Sequence, residues 1–101
     1  MPFYAVNMTH PAASCPIFND EVKKRYREGI ARRDELAKKH RTKVLTACVA
    51  VLEHVIFYVV EAPSQSAVEG YFTEIGFAFY NNVAIREVQL LEEAWKVYGI
   101  T

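Results

Sequence analysis

Residues 44–60 form an almost continuous apolar segment, VLTACVAVLEHVIFYVV, which is broken only at Glu53-His54. It is rich in β-branched and aromatic residues, and each half has the length of a β-strand. The segment therefore predicts two strands, Val44 to Leu52 and Val55 to Glu61, joined by a tight turn. Neither half is long enough to cross a bilayer, so we expect no membrane partner.

The second of these strands is apolar on both of its alternating faces. Val55, Phe57 and Val59 lie on one face, and Ile56, Tyr58 and Val60 lie on the other. An antiparallel sheet with one face in water normally alternates between apolar and polar residues. We therefore expect both faces to be covered, one by the helices of this chain and the other by a second copy of it.

Four further elements follow from periodicity and from helix-start and helix-stop residues. Residues 3–8 predict a first strand that ends at His10-Pro11. Residues 19–40 predict a charged helix capped by Asn19, and a second helix starts at Pro63-Ser64 and stops at Gly76. Residues 83–90 predict a last strand, and 91–99 a short terminal helix. The order βαββαβ predicts one α+β domain, residues 1–101, with a ferredoxin-like antiparallel sheet of order 4-1-3-2.

Charge is distributed unevenly along the chain. Residues 19–43 hold ten of the twelve Lys and Arg residues but only five of the twelve acids. Because the acids are interleaved with the bases, we interpret this segment as a solvated helix face and expect no nucleic-acid partner. The amino terminus lacks the features of a secretory signal, which favours a cytoplasmic location in which the two cysteines stay reduced.

Three potential metal ligands lie where the predicted topology brings strand ends together. His10 follows the first strand, Cys15 lies in the loop after it, and His54 lies in the turn between the second and third strands. Two imidazoles and a thiol suit nickel, zinc or copper, and no organic cofactor is indicated. Each residue also has a plain structural interpretation, as a strand end, a small apolar plug and a turn residue.

Tyrosines are the other candidate ligand-binding residues. Tyr4, Tyr58 and Tyr80 could each orient a small molecule through a hydroxyl group, although Tyr4 and Tyr58 also suit a core or a dimer interface. Cys48 lies among apolar residues in the middle of a predicted strand, so we expect it to pack in the core.

The amino-terminal residues MPFYAVNMTHPAAS resemble the opening of tautomerases that use an exposed amino-terminal proline as a base. In this chain the residue concerned is Pro2. The resemblance ends within these residues, and the second βαβ repeat of such enzymes is absent.

A broader resemblance rests on HVIFYVVEAPSQSAVEGYFTEIG and the later VAIREV. These segments resemble small prokaryotic ferredoxin-like proteins of the dimeric α/β barrel superfamily, whose functions are mostly unassigned and which include a nickel-binding group. Some relatives have a His, a Cys-Pro and a Glu-His at the positions of His10, Cys15-Pro16 and Glu53-His54. The resemblance implies this fold, dimerisation and a metal site, although this chain is longer than the nickel-binding group.

Three interpretations of function remain open at this stage. The first is a homo-oligomeric domain that binds a transition metal or small ligand where His10, Cys15 and His54 converge. The second is a structural or interaction module without a ligand. The third is a cofactor-free oxygenase-like or isomerase-like enzyme of the barrel superfamily, with His10 or a tyrosine as its acid or base.

Overall fold

The computed structural model describes all 101 residues and contains four strands and four helices. The strands are β1 (Phe3–Thr9), β2 (Lys43–Ala50), β3 (Val55–Glu61) and β4 (Asn82–Val88). The helices are α1 (Asp20–Ala31), α2 (Arg33–Lys39), α3 (Gln65–Glu74) and α4 (Leu91–Val97). None of these helices combines the length and the apolar composition that a membrane crossing requires.

The four strands form one antiparallel sheet in the order β2-β3-β1-β4. This is the predicted order 4-1-3-2 read from the other edge, so the ferredoxin-like α+β fold is confirmed. Val6 of β1 pairs with Tyr58 of β3 on one side and with Ile85 of β4 on the other. This register places alternate residues of β1 and β3 on the face that the helices cover.

The core lies between that face and the helices α1, α2 and α3. Its largest fully buried side chains include Phe72 of α3, Phe77 just after it and Met8 of β1. Tyr58 packs edge-on against Phe72, and Tyr26 of α1 stacks on Phe77. Burial of these large rings contributes most of the apolar stabilisation that a domain of this size can gain.

The predicted helix over residues 19–40 is divided at Arg32 into α1 and α2. Asn19 caps α1 as predicted, since its side-chain oxygen accepts a hydrogen bond from the backbone N–H of Val22. At Gly29 the α1 backbone approaches the carbonyl group of Ile75 so closely that a Cβ atom would overlap it. The change of direction at Arg32 keeps both Gly29 and Leu36 buried.

The second face of the sheet carries no helix. Phe57, at the centre of this face in β3, is 40% exposed, and the apolar residues of β2 are exposed along nearly the whole strand. The expectation that Cys48 packs in the core was wrong: it pairs with Phe57 and is exposed. β2 is an edge strand, and its residues are largely exposed on both faces.

The carboxylate of Glu74 joins α2 to α3. Glu74 accepts hydrogen bonds from Lys39 and His40, at 2.9 and 2.8 Å, and Arg32 lies 3.5 Å away. Hydrogen bonds from Lys39 and His40 lower the pKa of Glu74 from 4.5 to about 2. His40 therefore belongs to an interhelical ion-pair network and lies away from His10 and His54.

Replacing Glu74 with glutamine is expected to lower the melting temperature at neutral pH. Because the pKa of Glu74 is depressed in the folded state, its stabilising effect is complete above about pH 4.5 and is lost as the pH falls towards about 2. Melting temperatures of both proteins across this range check the prediction, and the difference between them should shrink with falling pH. A difference that stays constant down to pH 2 would contradict it.

Candidate metal centre

Three separate segments bring His10, Cys15 and His54 together at one end of the sheet. His10 directly follows β1, Cys15 follows a short 3-10 turn at Ala12–Ser14, and His54 ends the β2–β3 turn. Their nitrogen and sulfur atoms all lie within 4.8 Å of one another. In a tetrahedral zinc site the donor atoms lie about 3.5 Å apart, so the three side chains would have to approach one another by roughly 1 Å to share one cation.

A buried amide fixes the orientation of His10. The Nδ1 atom of His10 lies 2.8 Å from the side-chain oxygen of Asn81, whose side-chain nitrogen donates to the carbonyl of Phe77 at 3.0 Å. Since the Asn81 oxygen can only accept, Nδ1 of His10 donates and carries the proton. The lone pair of the neutral ring then lies on Nε2, the nitrogen that can bind a metal.

Cys15 is held in a rigid loop. Its backbone carbonyl accepts hydrogen bonds from the N–H groups of Phe18 and Asn19, at 3.0 and 2.8 Å. The Asn19 side chain also donates to the carbonyl of Ala13, so the residue that caps α1 ties the loop to the helix. Cys15 itself is only 3% exposed. The thiol is therefore positioned by backbone contacts and shielded from solvent.

His54 has an unusual backbone conformation. Its φ angle is +58°, in the left-handed region that non-glycine residues seldom occupy. The conformation closes the turn, in which the His54 N–H donates to the carbonyl of Val51, and the His54 carbonyl accepts from the N–H of His10. It also directs the ring towards His10, with the two ring centroids 5.3 Å apart. Backbone strain of this kind is concentrated at functional sites.

Two buried ring nitrogens in this region have no hydrogen-bond partner: Nε2 of His10 and Nδ1 of His54. Leaving such groups unpaired costs free energy, about 1–3 kcal/mol each, so native structures usually pair them with a protein group, a water molecule or an ion. Tyr80 lies against the His10 ring at 5.6 Å between centroids, and burial raises the pKa of its phenol. A nitrogen–sulfur donor set with unpaired ring nitrogens fits a transition metal.

A cavity of about 300 Å³ adjoins the cluster on the helix-covered side of the sheet. His10, Cys15 and His54 form one end of it. No Lys, Arg, Asp or Glu lines this cavity, and its apolar wall is formed by Ile17, Tyr26, Val49, Val51, Ile56 and Tyr58. Burial also raises the pKa of Tyr58, which keeps its phenol neutral. The cluster therefore faces an uncharged, largely apolar space, which we call the apolar cavity.

The structure places the sequence-predicted residues as follows. It brings His10, Cys15 and His54 together, puts Tyr80 against His10, and puts Tyr58 in the wall of the apolar cavity. Tyr4 lies in the core further along β1 and does not line this cavity.

Sequence reasoning missed two contributions to the site. Tyr26, in the predicted helix over residues 19–40, was not among the candidate site residues, yet it lines the apolar cavity. The role of Asn81 in orienting His10 was also missed, because a polar residue next to another asparagine is typical of any turn. The topology did offer one indication of this role: Asn81 directly precedes β4, at the strand end that lies next to His10.

The fold and the cluster together define a ferredoxin-like α+β domain with a His-Cys-His group at the end of its sheet. A solved structure of a Streptomyces coelicolor A3(2) protein is similar, with a TM-score of 0.55 and 18% sequence identity over 86% of this chain and 96% of that one. A Burkholderia cenocepacia chain assigned as an amidohydrolase or peptidase has a TM-score of 0.46 and 13% identity over 87% of this chain and 27% of that one.

No family model matches the sequence, and no curated protein matches it significantly. The similarity to the Streptomyces protein is a similarity of fold.

Proposed function

We propose that this protein is a homo-oligomeric domain that binds one transition-metal ion per chain through His10, Cys15 and His54. The observation that carries the proposal is the convergence of three donors from three chain segments on a place where two buried imidazole nitrogens lack partners. A bound cation supplies the partner that both nitrogens lack. The requirement for a reduced Cys15 is consistent with a cytoplasmic location.

The donor set restricts the metal. One thiolate and two imidazoles favour zinc, nickel or copper over magnesium or calcium, which prefer oxygen ligands. Three protein ligands leave a coordination position open, as in catalytic rather than structural zinc sites. When bound, the metal would supply a Lewis acid at that open position.

Native mass spectrometry and elemental analysis of the untagged protein, purified without chelator, test the proposal directly. We expect close to one metal ion per chain, and a melting temperature that falls when a chelator removes the metal. A protein that stays metal-free after incubation with nickel, zinc and copper would overturn the proposal. The favoured function would then be that of a structural or interaction module without a ligand.

The proposed homo-oligomer is a dimer through the uncovered face of the sheet. That face presents Val55, Phe57 and Val59 of β3 without any covering element from the same chain. Packing two such faces together buries these residues and leaves the apolar cavity, which lies on the opposite side of the sheet, uncovered. The face is self-complementary in an isologous dimer.

Replacing Phe57 with glutamate is expected to raise the dimer dissociation constant by at least about 100-fold, because it buries an unpaired charge at the interface. Light scattering across a dilution series measures this dissociation constant. Phe79→Glu is the matched control, since Phe79 is also exposed but lies outside the sheet, over Arg25. Equal dissociation constants for the two variants would contradict this interface.

Replacing Asn81 with alanine is expected to weaken metal binding about 10- to 100-fold, the range found for residues that orient metal-binding histidines. Asn81→Asp should retain the affinity, because a carboxylate also accepts the proton of Nδ1. Asn82→Ala serves as the control at the neighbouring exposed position. Titrations with zinc measure all three. Similar losses in Asn81→Asp and Asn81→Ala would show that Asn81 does not act through this acceptor.

A further inference from the structure

The environment of the cluster differs from that of a purely structural metal site. Closed structural sites surround the metal with four protein ligands. Here the cluster offers three, no fourth His, Cys, Asp or Glu belongs to it, and the space beside it is the apolar cavity. Whatever occupies the fourth position must therefore come from solvent or from a ligand that fits the cavity.

The wall of the apolar cavity determines which ligand fits. Tyr26 and Tyr58 contribute aromatic surface, while Ile56 and Val49 contribute branched aliphatic surface. Because no charged residue lines the wall, an ionised group in the body of a ligand would find no ion-pair partner there, which favours an uncharged ligand. The imidazoles of His10 and His54 and the thiol of Cys15 lie together at one end of the cavity.

The size of the apolar cavity limits the ligand further. A cavity of about 150 Å³ with an apolar lining admits benzene. The apolar cavity is about 300 Å³, which accommodates a molecule of one or two rings. Pockets that bind small molecules typically have this combination of an apolar wall and a few polar groups at one end.

We infer that the proposed metal site binds an uncharged one- or two-ring organic molecule whose single nitrogen or sulfur donor occupies the open position on the metal and whose ring lies in the apolar cavity. This inference rests on the proposed function and names the ligand class of the same site. It assigns Tyr26, Val49, Ile56 and Tyr58 to ligand recognition.

The cobalt-loaded protein allows a direct test, because the visible spectrum of Co²⁺ changes when a new donor binds it. The probes are 4-phenylimidazole, imidazole, and 4-(imidazol-4-yl)benzoate. These share the same donor ring and differ in the group that would enter the apolar cavity. We expect 4-phenylimidazole to bind at least about 10-fold more tightly than imidazole, because burial of its phenyl ring is favourable. The benzoate should lose this gain, since its carboxylate would be buried without a partner.

Val49→Trp is the variant that tests the position of the ring. Val49 lies on an edge strand and is 54% exposed, so a tryptophan is tolerated there while its indole fills the apolar cavity. We expect the Val49→Trp variant to lose the preference for 4-phenylimidazole over imidazole. Leu52→Trp is the control, because Leu52 is 88% exposed and does not line the cavity.

The outcomes separate the inference from the proposed function. If the protein binds no cobalt, zinc or nickel, the proposed function fails and the inference fails with it. If cobalt binds but 4-phenylimidazole binds no more tightly than imidazole, the inference alone is overturned. The same holds if Val49→Trp and Leu52→Trp retain the same preference for 4-phenylimidazole.

Discussion

Cys15→Ser is expected to lower the affinity for zinc or cobalt by more than about 100-fold. Cys15 supplies the only sulfur donor of the cluster, and even residues that merely orient metal ligands change affinity by about 10- to 100-fold. Serine is close to cysteine in size, so the loop that Asn19 holds should keep its shape. Competition titration with a chromophoric chelator measures the loss.

The two cysteines of the chain provide a matched control for this experiment. Cys48 is exposed on the uncovered face of β2 and belongs to no metal cluster, so Cys48→Ser should bind metal like the parent protein. Cobalt adds a second measurement, since only a bound thiolate gives an intense sulfur-to-cobalt charge-transfer band. If Cys48→Ser loses the band and Cys15→Ser retains it, the cluster described here does not hold the metal.

The second large effect concerns the fold. Gly29→Ala is expected to lower the free energy of unfolding by about 3 kcal/mol, at the upper end of the usual cost of overpacking. Its Cβ atom would overlap the backbone carbonyl oxygen of Ile75, and a backbone group cannot rotate away as a side chain can. α1 and the end of α3 would have to separate. Urea denaturation measures the change.

Glu28→Ala, at the neighbouring position of α1, separates this clash from any general effect of alanine. Glu28 is exposed and takes part in none of the ion pairs of the chain, so its replacement should change stability by no more than about 0.5 kcal/mol. If Gly29→Ala is as stable as Glu28→Ala, the close approach of α1 to Ile75 is wrong.

Much of the fold could be predicted because hydrophobic periodicity and capping residues act locally. β3 was predicted with its observed bounds, Asn19 caps α1 through its side chain as predicted, and the side chain of Ser64 caps α3 at the predicted start of that helix. The division at Arg32 could not be predicted, since no proline or glycine occupies that position. It lies three residues after Gly29, whose backbone meets Ile75, a contact between residues far apart in the sequence.

The candidate site also combines features that the sequence predicts with features that it does not. Topology placed His10, Cys15 and His54 at one end of the sheet, because the order of the strands fixes where their ends lie. Whether His54 faces His10 depended on the pairing register at the turn. A shift of this register by one residue would move every side chain of the strand to the opposite face of the sheet. The left-handed conformation of His54 decides this point, and a histidine gives no sign of it in the sequence.

The sequence by itself determined the order of the elements, the apolar character of both faces of β3 and the choice of nitrogen and sulfur donors. These features depend on residue type and on spacing along the chain. Only the tertiary structure decided that Asn81 orients His10, that Tyr26 and Tyr58 line the apolar cavity and that β2 is exposed. Each of these depends on the packing of segments that are distant in sequence, where distances of a few tenths of an ångström determine which groups meet.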